Sequence, residues 1–92
     1  MLNALARTLL AAAVFASISG AALAADPGYC NQYAAAAIEA AGQNLAHHCG
    51  YGGPRWVADY QIHYGWCLGV PIPVAANEWH ARRVGIAECF GH

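Results

Sequence analysis

The chain contains no lysine, and Arg7, Arg55, Arg82 and Arg83 are its only obligate cations. Beyond residue 24, three arginines stand against five acids: Asp26, Glu39, Asp59, Glu78 and Glu88. A protein that grips phosphates needs a basic face, so nucleic-acid binding is excluded, and a polybasic contact with an anionic membrane goes with it. Close cysteine pairs are missing too. Cys30, Cys49, Cys67 and Cys89 are separated by 18, 17 and 21 residues, whereas structural zinc sites draw thiolates from pairs such as C-x2-C. The glycine-rich stretch 50–56, GYGGPRW, lacks the Gly-Lys-Ser/Thr ending of a phosphate loop and serves as a turn between helices. No nucleophile or second carboxylate is spaced for acid–base work. The sequence therefore implies no enzyme, no metal and no cofactor.

One long apolar run is present, and it comes first. Arg7 is followed by an almost wholly apolar stretch from Leu9 to Ile18 and by the small-x-small pattern Ala22-Leu23-Ala24. These are the three zones of a secretory signal peptide, and the run is short for a membrane span of about 30 Å. Residues 1–24 are assigned to the leader, with cleavage after Ala25 as the alternative, and residues 25–92 to one domain. The expected location is periplasmic or secreted, with no membrane insertion after cleavage.

About 68 residues bury too small a core to be comfortable alone. Four cysteines in a short exported chain supply the remedy as two disulfides. Asp26 and Pro27 are a helix N-cap and first helical residue. The alanine-rich stretch that follows continues to about His48, with Cys30, Ala34, Ala37, Ile38, Ala41, Leu45 and Cys49 on one face. A second helix is expected over Trp56–Leu68, with Trp56, Tyr60, His63, Tyr64 and Cys67 sharing a face. Gly69, Pro71 and Pro73 break the chain. A third helix is expected from Val74 to Phe90, with Ala75, Glu78, Arg82, Gly85, Ile86 and Cys89 aligned.

These elements select a pairing. Cys30 and Cys49 lie roughly 28 Å apart along one helix at 1.5 Å per residue, and a disulfide needs Cα atoms within about 7 Å. Short connections make neighbouring helices antiparallel. Cys30 then shares one end with Cys67, and Cys49 shares the other with Cys89. The expected fold is all-α: a small three-helix antiparallel bundle stapled by Cys30–Cys67 and Cys49–Cys89.

Two groups of side chains could carry function. Trp56, His63, Glu78 and Arg82 fall on core-facing stripes. The bland interpretation is a structural network, with a Glu78–Arg82 ion pair and His63 bonded to one member. The sharper one is a shallow pocket in which His63, Glu78 and Arg82 orient a polar ligand against Trp56. Trp66 and Trp79 are candidate surface aromatics for docking a protein or stacking on a glycan. Arg55 is expected to cap a carbonyl or cover a ring with its stem. His47 and His48 are not expected to bind metal with Cys49, because adjacent side chains diverge on a helix. His80 and His92 are expected to be exposed.

The order Cys30-x2-Tyr33-Ala34, then Cys49-Gly50-Tyr51-x-Gly53-Pro54-Arg55-Trp56-x2-Asp59-x3-His63-x2-Trp66-Cys67, then Glu78-x3-Arg82 and Cys89 resembles small exported proteobacterial cysteine-rich domains of unknown function. The resemblance spans nearly all the chain beyond the leader. It implies a compartment and a folding unit, and it supplies no catalytic, cofactor or binding residues. The function expected is a non-enzymatic binding or interaction module of the bacterial envelope, with a protein or glycan partner. The alternatives are a small hydrolase or stress factor using His63 and Glu78, and a purely structural cysteine-rich protein.

Overall fold

The computed structural model describes residues 23–91. Residues 1–22, most of the segment expected to be a leader, and His92 lie outside the described residues. Those described form three α-helices and one short 3-10 turn, with no strand among them.

Helix α1 spans Pro27–Ala46. It begins as the sequence dictates: the Asp26 carboxylate accepts the Tyr29 amide at 2.7 Å, and Pro27 occupies the first turn, where a missing N–H costs nothing. It stops two residues short of His48. The His48 amide donates to the Leu45 carbonyl at 3.2 Å and the Cys49 amide to the Asn44 carbonyl at 3.0 Å. Together with the positive φ of 54° at His48, this is a Schellman cap built on histidine rather than glycine.

Helix α2 is shorter than expected, Tyr60–Leu68. Asp59 ends the preceding segment because its carboxylate accepts the Gln61 and Ile62 amides at 3.0 and 3.3 Å, an N-cap within the stretch read as helix. Pro54–Trp56 form the 3-10 turn, and Val57 is extended. Helix α3 is longer than expected, Ile72–Phe90, with Pro73 absorbed into its first turn.

Helix α1 is the hub. Both α2 and α3 pack on it, and they scarcely touch each other. The disulfides fix this arrangement. Cys30, near the start of α1, joins Cys67 at the end of α2, and Cys49, just past α1, joins Cys89 at the end of α3, both with Cα atoms 5.6 Å apart. Helix α2 therefore runs down and α3 up. The Cys30–Cys67 bridge is fully buried and Cys49–Cys89 is half-buried. Around the buried bridge lie Ala25, Tyr33 and Ala75, with Tyr29, Tyr64, Leu68, Val70 and Trp79 packed outside them. The Ala25 amide donates to the Val70 carbonyl at 2.8 Å, pinning the entry to α1 against the exit from α2.

The buried stripe of α1 is rotated from the expected one. Tyr33, Ala40 and Asn44 are inside, Ile38 is half-buried, and Leu45 is 70% exposed. Asn44 turns inward because its side chain pairs with the Tyr51 backbone in both directions, receiving the amide at 3.1 Å and donating to the carbonyl at 2.8 Å. That pair ties the 50–56 loop to α1.

Candidate functional site

Because α2 and α3 meet α1 but not each other, a cleft remains between them. Its volume is about 280 Å³. Tyr33 of α1 lines it. Ile62, His63 and Trp66 line it from α2, Glu78 and Arg82 from α3, and Pro54 and Arg55 of the 3-10 turn complete the lining. Tyr33 and Trp66 are stacked, with ring centroids 5.6 Å apart and planes at 29°. Trp66 and Ile62 remain 42% and 53% exposed. They place apolar surface where water would otherwise be displaced only by a partner.

The polar residues are brought together, but not paired as the sequence suggested. Glu78 does not pair with Arg82. Its carboxylate is held by Arg55, whose Nε and Nη2 donate to the two oxygens at 2.6 and 3.2 Å. This side-on fork uses both hydrogen-bonding faces of the two groups and wins over the i,i+4 contact within α3. The same bond raises the Arg55 pKa above its ordinary value. His63 does not bond to either member. It is buried, and its Nε2 lies 2.7 Å from the Val57 carbonyl, which can only accept. Nε2 is therefore the protonated nitrogen, and His63 locks the extended Val57 onto α2.

Arg82 is the unusual group. It is 1% exposed, and its guanidinium lies 4.7 Å over the Tyr33 ring. Nη1 donates to the Tyr33 hydroxyl across a long 3.4 Å, and Nε and Nη2 are buried without a hydrogen-bond partner. Burial pushes the Arg82 pKa down, with the Tyr33 and Glu78 charges opposing. Burial likewise raises Tyr33, with Arg82 pulling it back. An arginine stays protonated regardless. Glu78 already answers Arg55, so the cleft holds one positive charge without a counterion.

Trp56 does not belong to this cluster. It stacks on Tyr51 at 4.7 Å and covers Gly85, where a Cβ would meet the indole at 3.2 and 3.3 Å. The Tyr51 hydroxyl donates to the Gly85 carbonyl at 2.9 Å and completes this second cluster. A continuous helix from Trp56 would align it with His63; the Asp59 cap breaks that register. Trp79 is half-buried against Tyr29 and Tyr33, at 5.8 and 6.2 Å, and belongs largely to the core. His80 is exposed.

Tyr33, Pro54, Arg55 and Ile62 of the cleft escaped sequence reasoning, Ile62 because it lies off the stripe that holds His63. Tyr33 lies one turn beyond Cys30 and on the same face, so its place on the buried stripe was open to inference. Arg55 carried no signal for Glu78, because their contact depends on how the loop folds back. Among the described residues, no three His, Cys, Asp or Glu side chains converge as a metal site requires, and no helix is long and apolar enough to cross a membrane.

Searches of family models, curated proteins and solved structures found no match to this chain. Its chemistry rests on its own geometry.

Proposed function

We propose that this chain is an exported, non-catalytic binding module of the bacterial envelope, and that the cleft over Tyr33 receives its ligand. The observation that carries the proposal is the pairing of exposed apolar side chains, Trp66 and Ile62, with a buried cation in one cleft. Small-ligand sites combine apolar walls with a few placed polar groups, at volumes from about 300 Å³ upward. At about 280 Å³ this cleft falls just below that range and suits a single ring or side chain. Two disulfides are compatible with export, as is the resemblance of the cysteine and tryptophan pattern to small exported domains.

Binding is favoured over hydrolysis by how the polar groups are used. The His63 Nε2 proton is committed to Val57 and both Glu78 oxygens to Arg55; Nδ1 of His63 is left as a base, and the lining of the cleft supplies no Ser, Thr or Cys for it to activate. A side-chain-sized organic group is favoured over a sugar, because Trp66 lays one ring face on Tyr33 rather than presenting it freely.

A fragment panel read by ligand-observed NMR on the oxidised protein tests this. Fragments should compete for one site and lose binding in Trp66→Ala, assayed well below that variant's melting point, which falls because Trp66 packs on Tyr33. Fragments that bind Trp66→Ala as well as the parent, or a panel with no competing binders, would refute the proposal.

A further inference from the structure

The Arg55–Glu78 pair shows what an arginine in this cleft does with a carboxylate: Nε and Nη2, on one edge of the guanidinium, each take an oxygen. Arg82 has the same edge with nothing on it. Its Nη1 is turned to the Tyr33 hydroxyl, and its plane rests over the Tyr33 ring. Neither contact neutralises the charge. Glu78, the nearest acid in sequence, is already occupied. A buried cation without a counterion is an expensive arrangement, and an anion that pairs with it relieves the cost.

We propose that Arg82 is the anchor for a ligand carboxylate, and that the ligand is a small carboxylic acid with an aromatic or branched aliphatic body. This rests on the cleft being the binding site. The Nε–Nη2 edge matches the spacing of two carboxylate oxygens. Trp66 and Ile62 cover the apolar body at the open side. The edge is enclosed, so the guanidinium must turn toward the cleft for a carboxylate to reach it; the 3.4 Å hydrogen bond to Tyr33 resists this weakly and the ring contact more strongly. A second groove of about 390 Å³, between α1 and α3, also borders Arg82, but Glu39 and Arg83 line it with charges of both signs. In the aromatic cleft the one acid, Glu78, is already held by Arg55, whereas Glu39 in the groove would repel a ligand carboxylate. The carboxylate has two possible sources, a free acid or the C terminus of a peptide, and both present the same two oxygens.

The test uses the oxidised full chain titrated with phenylacetate and its neutral isostere phenylacetamide, read by tryptophan fluorescence and calorimetry. Phenylacetate should bind at least about tenfold more tightly, the margin expected of a charge-assisted fork. Arg82→Lys, which keeps the charge and loses the fork, should erase most of that margin. Tighter binding of phenylacetate than of N-acetylphenylalanine supports a free acid as the source, and the reverse order supports a peptide end. Equal binding of phenylacetate and phenylacetamide would overturn the carboxylate anchor and leave the cleft itself standing. Inorganic phosphate displacing phenylacetate at lower concentration would also overturn it, in favour of a phosphate site. If neither acid nor amide binds, the cleft proposal falls together with the anchor. The acid–amide comparison needs no variant, so a misfolded Arg82→Lys cannot shield the idea.

Discussion

Replacing Arg82 with methionine should make the protein more stable while removing the proposed anchor. Methionine follows the arginine stem and fills similar space without polar atoms. The losses are a cation–π contact over Tyr33, worth up to about 2 kcal/mol when desolvated, and a 3.4 Å hydrogen bond too long to contribute much. The gain is larger. Two buried N–H groups without partners cost about 1–3 kcal/mol each, and more when they carry charge. The balance favours the variant by about 1–3 kcal/mol, in line with replacements of buried ions by apolar side chains. In a domain this small, each kcal/mol moves the melting point by about 4–8 °C. Calorimetric melting of the two oxidised proteins measures this directly. A second readout is the ultraviolet titration of Tyr33. Burial already holds its phenol above the ordinary 10.0, and Arg82 pulls it down, so the variant should ionise at higher pH still. A phenol raised in the folded state contributes stability that is complete below its unfolded pKa and is lost as pH climbs through the folded value. Both proteins should therefore weaken above about pH 10, the variant more steeply. A melting point lowered by more than a few degrees, with Tyr33 unmoved, would show that Arg82 is well satisfied where it is. The argument for an unanswered charge would then fail.

Three further outcomes follow from the fold. Limited reduction should open Cys49–Cys89 before Cys30–Cys67, because only the former is reachable by a thiolate; alkylation and peptide mapping of the first intermediate report the order, and each bridge removed costs about 4 kcal/mol by chain entropy. His48→Gly should stabilise by about 1 kcal/mol, since the Schellman cap holds this residue at φ 54°, and a denaturant midpoint that falls would contradict the cap. Gly42→Ala and Gly85→Ala should part company. The first meets nothing within 4 Å in α1 and gains about 1 kcal/mol of helix propensity; the second drives a methyl into Trp56 and should lower the melting point despite the same gain.

The pairing of the cysteines was legible because a 20-residue helix separates Cys30 from Cys49 whatever its rotation, and antiparallel neighbours decide between the two pairings that remain. The third stripe was legible for a similar reason, since Ala75, Arg82 and Ile86 recur at helical spacing and are buried together. Leu45 misled because hydrophobicity favoured it over Asn44, while the structure buries the residue whose amide can satisfy the Tyr51 backbone. The start of α2 misled because aromatic residues flank Asp59 on both sides, and the cap outranks the periodicity. Of the residues grouped by their stripes, His63, Glu78 and Arg82 line one cleft and Trp56 does not. The partners of those three were not legible, because Val57, Arg55 and Tyr33 come from elements whose approach is set by the loop and by both bridges.

Ala25, at 4% exposure and bonded to Val70, makes the folded body sensitive to where the chain is cut ahead of the first helix. Severing the chain ahead of this alanine would leave an ammonium able to keep the same acceptor, close to the Asp26 carboxylate. Severing it one bond later would strip Val70 of its donor and open a methyl-sized notch beside the innermost sulfur link. Two products differing by a single alanine would thus differ in how firmly the first helix is seated.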